Sequence, residues 1–89
     1  MQASHILVPD RAQCQAIRSE LREDEARFAE LAARHSLCPS GQQGGSLGTF
    51  QPGQMVPAFE QAVRELEPHA ISECVPTAFG YHVVRRDHD

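Results

Sequence analysis

Glycine concentrated in the middle of the chain is the feature that most restricts what this sequence can fold into. Five of its six glycines fall between positions 41 and 53. Each glycine inside a helix costs about 1 kcal/mol relative to alanine, so no long helix can cross Cys38–Gly53. Within this segment, Gly44 and Gly45 predict a turn, and Leu47–Gln51 is predicted to form a short strand that leaves it.

Three helices are predicted outside this segment from apolar residues that recur at helical spacing. Asp10 and Asp24 are suited to cap the first two, because a carboxylate accepts hydrogen bonds from the N–H groups of a first turn. Pro57 is acceptable in the first turn of the third. The apolar faces are Cys14, Ile17 and Leu21, then Phe28, Leu31, Ala32 and His35, then Val56, Phe59, Val63 and Leu66.

Short runs rich in β-branched residues predict further strands at Ser4–Val8, Ile71–Val75 and Tyr81–Arg86. The predicted order is therefore β-α-α-β-α-β-β. We expect the last two strands to form a hairpin through Thr77–Gly80. These elements favour an α+β architecture in which helices cover a small antiparallel sheet.

Composition and charge exclude several classes of function. The formal charge is −4 and the charged residues are interspersed, so the concentrated basic surface needed for nucleic acid is missing. No apolar run approaches the roughly 20 residues of a membrane span, and we expect no signal peptide. The length of 89 residues favours a single domain over residues 1–89, which we expect to be monomeric.

The three cysteines are odd in number and irregular in spacing. This pattern argues against a disulfide framework and predicts a reducing, cytoplasmic location. Cys14 and Cys74 occupy helix and strand positions, where each is interpreted as an ordinary core residue. Cys38 opens the glycine-rich loop, where histidines could lower its pKa and make it reactive. Taken alone, Cys38 is better interpreted as a half-buried loop hydrophobe.

Two histidines, His5 and His82, lie on the first and last predicted strands. If those strands are central neighbours, the two imidazoles come into contact, with Leu7 and Val84 on the same face. A histidine on an apolar face is nevertheless more often a core residue than a catalyst. The other histidines, His35, His69 and His88, are interpreted as surface or structural.

Met55 and Phe59 are four residues apart, so they share a face if a helix begins near Val56, with Leu47 expected nearby. Such a pair usually belongs to the core, but Met55 follows Gly53 and Gln54 at a loop mouth, where an adaptable thioether can line an open pocket. A thiol protease is disfavoured because nothing apart from Asp87 stands near His82 to orient it. A zinc site is disfavoured because no metal-ligand spacing is present.

Five blocks of sequence occur in an order and spacing that together are highly specific. They are His5–Val8; Phe28, Ala29, Leu31, Ala32, His35 and Ser36; Cys38–Gly41 with Gly44, Gly45, Leu47, Gly48 and Phe50; Gly53–Phe59; and Thr77 with Phe79–His82. This pattern resembles the parvulin-type peptidyl-prolyl isomerases, and most of all the small free-standing bacterial members. The match covers the chain from about Ser4 to Arg86.

The resemblance implies a four-stranded antiparallel sheet surrounded by helices, a parvulin/FKBP-like fold, and an enzyme that needs no metal or cofactor. It also implies roles. His5 and His82 match the paired histidines under the site, Thr77 a hydroxyl in their network, and Cys38 an ionisable position beside the twisting bond. The substrate-binding residues implied are Leu47, Gln54, Met55, Phe59 and Phe79, with Gln54 peripheral and Phe79 at the edge of the pocket.

The implied reaction is rotation about X-Pro bonds in peptides and unfolded protein clients, which assists folding. Cys38 could attack the carbonyl covalently or tune the local field, and the second role is favoured. The connection Pro9–Arg11 is too short for the basic loop of the phosphate-dependent branch, so phosphate dependence is not expected. Glu23–Glu25 and Cys74 also depart from the usual family residues. A binding module that holds proline-containing segments without turnover is the alternative.

Overall fold

The strands and helices follow the predicted order in a computed structural model that describes residues 2–49 and 53–87. Predictions made for Phe50, Gln51, His88 and Asp89 lie outside those ranges. Two short 3-10 turns, Glu25–Arg27 and Pro39–Gln43, join the longer elements. The strands are β1 (Gln2–Val8), β2 (Ser46–Thr49), β3 (Val75–Thr77) and β4 (Gly80–Arg86), and the helices are α1 (Arg11–Glu23), α2 (Phe28–His35) and α3 (Pro57–Glu65).

The four strands form one antiparallel sheet in the order β2-β1-β4-β3, which confirms the predicted fold class. The first and last strands are therefore central neighbours. Their register pairs His5 with Val84 and Leu7 with His82. A hairpin joins β3 to β4, with Thr77 opposite Gly80, as predicted.

Alternation along the central strands divides the apolar residues between two faces of the sheet. Ile6, Val8 and Val83 belong to the cluster formed with the buried residues of α1 and α2. Ala3 and Val84 belong to the cluster formed with Phe59 and Val63 of α3, in line with the opposite face. His5 and Leu7 alternate with Ile6 and Val8, so they share the face covered by α3. The members of the first cluster contributed by helices are Cys14, Ile17, Leu21, Phe28, Leu31 and Ala32.

Asp10 caps the first helix as predicted, whereas Asp24 caps the 3-10 turn before α2 and not α2 itself, whose N-cap residue Arg27 makes no side-chain cap bond. Oδ1 of Asp10 accepts a hydrogen bond from the backbone N–H of Gln13 at 2.8 Å and so caps α1. Oδ1 of Asp24 accepts one from Ala26 at 3.1 Å, which caps the 3-10 turn that leads into α2. None of the helices within residues 2–49 and 53–87 is long and apolar enough to cross a membrane.

Gly45 fixes the glycine-rich turn against β1. Its φ of +85° lies in the left-handed region, and its carbonyl accepts a hydrogen bond from the N–H of His5 at 2.9 Å. A Cβ at this position would stand 2.5 Å from the carbonyl oxygen of His5. A side chain there would therefore force the turn away from the strand that carries the histidine.

The predicted strand at Ile71–Val75 is wrong, because β3 begins only at Val75 and Ile71 makes a single bridge to Arg85. Ser72 interrupts the ladder. Its N–H donates to the carbonyl of Val84 at 2.8 Å, but Val84 N–H donates to the Ser72 hydroxyl at 3.0 Å. The Ser72 carbonyl accepts from Nε of Arg18 at 2.6 Å instead. A side chain from α1 thus diverts the backbone group that a longer strand would need.

The expectation that the chain contains no disulfide is also wrong. Cys14 in α1 and Cys74 just before β3 are joined as a disulfide, with their Cα atoms 6.2 Å apart. That separation is within the usual range of about 4.4–6.8 Å for bonded cysteines. The two positions are 60 residues apart in sequence, so only the packing of α1 brings them together. Cys38 is a free thiol.

Candidate active site

The end of β1 holds the start of the glycine-rich loop in place. The N–H of Leu7 donates to the Ser36 hydroxyl at 3.1 Å, and the N–H of Leu37 donates to the carbonyl of Leu7 at 2.7 Å. The same hydroxyl accepts from the N–H of Cys38 at 3.3 Å. These bonds place Cys38 beside the strand that carries His5.

His5 and His82 are directly bonded. Their Nδ1 atoms are 2.9 Å apart, and their rings stack at 5.1 Å between centroids with an interplanar angle of 17°. Nε2 of His82 lies 2.8 Å from the Thr77 hydroxyl, which also accepts from the N–H of Phe79 at 3.2 Å. The predicted contact between the histidines, and the Thr77 position next to them, are therefore both present.

Burial keeps the histidine pair neutral near pH 7. Removal from water, with a smaller contribution from the neighbouring His82, lowers the pKa of His5 from 6.5 to about 4. Burial likewise lowers the pKa of His82. A hydrogen bond between two Nδ1 atoms needs one donor and one acceptor, which two neutral rings supply and two cations cannot.

The Thr77 hydroxyl is bonded at one end of this network. Its oxygen accepts from the N–H of Phe79 and lies within hydrogen-bond distance of Nε2 of His82. The tautomers of the two imidazoles are linked, because only one of the two Nδ1 atoms can carry the shared proton. The remaining nitrogen, Nε2 of His5, is buried and has no hydrogen-bond partner within the described residues. The two rings thus form a fixed polar support beneath the pocket.

Phe59 packs edge-on against both imidazoles. Its ring lies 5.5 Å from His5 at 89° and 5.6 Å from His82 at 75°. Such edge-to-face pairs are favourable by roughly 0.5–1.5 kcal/mol beyond the burial of area. Phe59 is only 3% exposed, so α3 presents this ring as part of a fixed floor.

An open, largely apolar pocket of about 520 Å³ lies at this site. It brings together every predicted site residue except Thr77, which stands behind His82. No Arg, Lys, Asp or Glu is among the described residues that line it. The lining residues are His5, Leu7, Leu37, Cys38, Pro39, Leu47, Gln54, Met55, Val56, Phe59, Phe79 and His82.

Cys38 lies at this pocket without a polar link to the histidines. Its sulfur accepts a hydrogen bond from the Ser40 hydroxyl at 3.3 Å. Within residues 2–49 and 53–87 no hydrogen bond joins Cys38 to His5 or His82. The expectation that histidines activate this thiol therefore has no geometric support. Nor do the described residues contain a group of three or more His, Cys, Asp or Glu able to hold a metal.

Sequence reasoning missed four lining residues, of which Leu37 is the most informative. Leu37 is 60% exposed and Phe79 is 67% exposed, and both line the pocket. A large apolar residue in the connection between α2 and the glycine-rich loop was an available signal, since a loop seldom exposes such a side chain without cause. The other three are Leu7, Pro39 and Val56.

The family model for the rotamase, PPIC-type PPIase domain matches residues 8–88. The chain belongs to this family of peptidyl-prolyl isomerase domains. Its fold and its enzyme class, an isomerase of the parvulin type, follow from that membership and confirm the resemblance. "Peptidyl-prolyl cis-trans isomerase Pin1" of Digitalis lanata is 45% identical over 75 residues, which are 84% of this chain and 64% of that protein.

Foldases and small parvulins are similar to the chain as well. "Foldase protein PrsA 4" of Bacillus cereus is 43% identical over 96% of the chain and 30% of its own length. The crystal structure of PrsA from Bacillus anthracis superposes with a TM-score of 0.95 at 39% identity, over 98% of this chain and 40% of that one. The solution structure of NmPin, the parvulin of Nitrosopumilus maritimus, superposes with a TM-score of 0.86 at 36% identity, over 99% of this chain and 95% of that one. The chain thus spans less than two thirds of the first two curated relatives.

Proposed function

We propose that this domain catalyses cis–trans rotation about X-Pro bonds in peptides and unfolded protein clients, without covalent attack and without a phosphate on the substrate. The observation that carries the proposal is the apolar pocket at Leu47, Met55 and Phe59, set against a buried, neutral histidine pair. A proline ring is apolar and compact. It can pack against this lining without removing water from a charged side chain, because no charged residue is among the described lining residues.

The pocket can lower the rotation barrier without breaking a bond. That barrier, roughly 18–20 kcal/mol, comes from the partial double-bond character of the C–N bond. Water stabilises the planar, charge-separated amide, so a dry apolar pocket favours the twisted form in which this resonance is lost. Catalysis then follows from tighter binding of the twisted state, and each preference of about 1.4 kcal/mol increases the rate tenfold.

The pocket lining argues for independence from phosphate. No arginine or lysine is among the described lining residues, and only Pro9 and Asp10 separate β1 from α1. A phosphate next to proline would therefore lose hydration without gaining an ion pair there. Ser-Pro and phospho-Ser-Pro peptides of the same sequence provide the test. We expect kcat/KM for the unmodified peptide to be at least as high as for the phosphorylated one. A much higher kcat/KM with the phosphorylated peptide would contradict independence from phosphate.

Replacing residues of the pocket tests whether this pocket catalyses the rotation. We expect Phe59→Ala to lower kcat/KM by at least about tenfold and Met55→Ala by several-fold, because each removes contact with the proline ring. NMR exchange on a short X-Pro peptide measures the rate, and circular dichroism checks folding because Phe59 is buried. Gln61→Ala on the exposed side of α3 is the control and should match wild type.

The same experiment separates catalysis from binding alone. Several relatives are called foldases or chaperones, so a module that holds proline-containing segments is the alternative. If folded wild type binds the peptide but both wild type and Phe59→Ala leave exchange at the uncatalysed rate, the enzyme proposal fails and the binding module is supported.

Cys38 acts, in this proposal, through its position and not as a nucleophile. Its sulfur is held by the Ser40 hydroxyl and has no described contact with an imidazole that could remove its proton. We therefore expect Cys38→Ser and Cys38→Asp to retain kcat/KM within about tenfold, a barrier change of no more than about 1.4 kcal/mol. Complete loss in both variants, with the fold intact, would favour covalent attack.

The monomeric state and the cytoplasmic location stay predictions. The disulfide between Cys14 and Cys74 removes the cysteine argument on which the location rested. One similar structure comes from a pair of SurA-like chaperones of Campylobacter jejuni, the virulence factor PEB4 and the periplasmic protein Cj1289. Fractionation of cells that express the natural gene would decide the location.

A further inference from the structure

The disulfide lies away from the isomerase pocket, on the face of the sheet covered by α1 and α2. Cys14 is fully buried in that core cluster, and Cys74 is half-buried against it. His5 and Phe59 belong to the opposite face. The sulfur–sulfur bond is therefore a second chemical centre that the proposed rotation does not use.

Three arginines of α1 face a cleft of about 290 Å³ whose lining includes Cys74. Arg11, Arg18 and Arg22 recur along one side of the helix. Glu73 is the only acid among the described lining residues, and its carboxylate is 2.9 Å from Arg18 and 3.6 Å from Arg22. Three positive charges against one negative charge leave the cleft cationic. A small anion approaching Cys74 would meet a favourable potential.

We propose that Cys14–Cys74 is a disulfide that exchanges with thiols in solution, and that the arginines of this cleft select anionic thiols as its reductants. Attack takes place at Cys74, because Cys14 has no exposed surface. The assignment rests on the disulfide and the cleft alone, and it does not depend on the isomerase activity.

The exchange proceeds in two balanced steps. A thiolate attacks the sulfur of Cys74, the sulfur–sulfur bond breaks, and Cys14 leaves as a thiolate that takes up a proton. A mixed disulfide then links the small thiol to Cys74. A second thiolate attacks the sulfur of the small thiol in that bond, which releases the small disulfide and leaves Cys74 as a thiol. Two electrons have passed from two small thiols to the protein.

Opening the bond should loosen the chain without dismantling the sheet. The disulfide closes a long loop, and loop closure restricts the unfolded chain most when the loop is long. In the folded state, Arg18 still donates to the carbonyl of Ser72 at 2.6 Å, and Ser72 still bonds Val84. Reduction should therefore lower the Tm while the segment before β3 keeps its place.

Thiol counting under denaturing conditions tests whether the bond forms. In a Cys38→Ser background, after equilibration with oxidised glutathione and removal of the reagent, we expect no titratable thiol, and two after full reduction. We expect the oxidised protein to melt at least about 10 °C above the reduced one, as a stabilisation of a few kcal/mol implies for a domain of this size. Two thiols after oxidation, or equal melting temperatures, would overturn the proposal. Cys14→Ser should abolish the difference.

The charge of the reductant tests the cleft. The probes are 2-mercaptoethanesulfonate, which is anionic, and cysteamine, which is cationic and of similar size. Each rate at low salt is divided by its rate on the same protein unfolded in urea, which cancels the intrinsic reactivity of the thiol. We expect the anionic thiol to be favoured by roughly fivefold or more, and the preference to fall at high salt.

Arginine variants test whether the preference for the anionic thiol arises in this cleft. Arg22→Gln and Arg11→Gln should reduce the preference for the anionic thiol. Arg34→Gln is the matched control, because Arg34 and Arg22 are both 64% exposed and pair with glutamates at 3.7 and 3.6 Å. Equal normalised rates for both thiols, or equal effects of all three variants, would overturn selection by the cleft.

Mass spectrometry of the trapped intermediate identifies the attacked sulfur. With Cys14→Ser in the Cys38→Ser background, oxidised glutathione should add one tripeptide to Cys74. With Cys74→Ser, the fully buried Cys14 should stay unmodified in the folded protein. Modification of Cys14 in the folded Cys74→Ser variant would contradict attack at Cys74.

Discussion

At the scale of single residues, the Thr77 hydroxyl fixes the orientation of the His82 ring. It is the one hydrogen-bond partner of Nε2 of His82 among the described residues, at 2.8 Å. The other nitrogen of that ring, Nδ1, is bonded to Nδ1 of His5, so loss of the hydroxyl would affect both imidazoles. A buried imidazole nitrogen without such a partner would be left unsatisfied.

Thr77→Val removes this hydroxyl and keeps the shape of the side chain. We expect it to destabilise the fold by about 1–3 kcal/mol, the cost of an unsatisfied buried polar group. Urea unfolding measures the loss, and 15N chemical shifts of the imidazoles should report a changed tautomer for His82. Thr77→Ser is the control and should retain both properties. Wild-type imidazole shifts in Thr77→Val would show that the hydroxyl does not affect the imidazoles.

At the scale of elements, nearby aspartates fix the start of α1 and of the 3-10 turn before α2. Asp10 caps α1 through its bond to Gln13, and Asp24 caps the turn before α2. These caps matter here because α1 carries both Cys14 and the arginines of the cleft. A frayed first turn would displace Arg11 before any other residue of that cleft.

Asp10→Ala should lower the free energy of unfolding by about 1 kcal/mol, because the first turn of α1 loses its acceptor. Hydrogen exchange should accelerate first at Gln13, whose N–H is the donor. Asp10→Asn keeps an acceptor oxygen without the charge and should recover most of the stability. If Asp10→Ala were as stable as Asp10→Asn, the cap would contribute nothing to α1.

At the scale of the whole molecule, the central sheet separates two chemistries. The face under α3 holds the neutral, apolar pocket, and the face under α1 and α2 holds the disulfide. All eight basic residues of the chain are arginines, and three of them face the single cleft beside Cys74. This cleft therefore carries a positive charge although the chain as a whole has a net charge of −4.

Stability should fall as the pH drops from about 6.5 towards 5. In the folded state the pKa of His5 is lowered to about 4 and that of His82 is also lowered, both chiefly by burial. The unfolded chain takes up protons near pH 6.5 while the folded chain does not, so acid favours unfolding. For His5 alone, the expected slope approaches about 1.4 kcal/mol per pH unit below 6.5.

Urea unfolding at several values between pH 7 and pH 5 measures this slope, in a range where most carboxylates remain charged. The double variant His5→Asn, His82→Asn is the control, and its stability should depend less on pH than that of wild type. The same slope in both proteins would mean that other groups account for the acid sensitivity.

The candidate site was predictable to the extent that its signals are local. Strand alternation placed His5 and His82 on one face, and a helix start expected near Val56 placed Met55 and Phe59 together near Leu47. Leu37 was not found, because its role depends on two bonds that hold the loop against β1: Leu7 N–H donates to the Ser36 hydroxyl, and Leu37 N–H donates to the Leu7 carbonyl. Those bonds join residues about 30 positions apart, beyond the reach of a local pattern.

The sequence by itself determined the order of the elements, the Asp10 cap of α1, the turn at Gly45 and the residue types of the pocket. These follow from backbone preferences and from periodicities that extend over a few residues. Tertiary structure alone decided the pairing of Cys14 with Cys74, the late start of β3 and the neutrality of the histidine pair. Each of these depends on which distant groups the packing brings together, such as Arg18 with Ser72, and on how much water that packing removes.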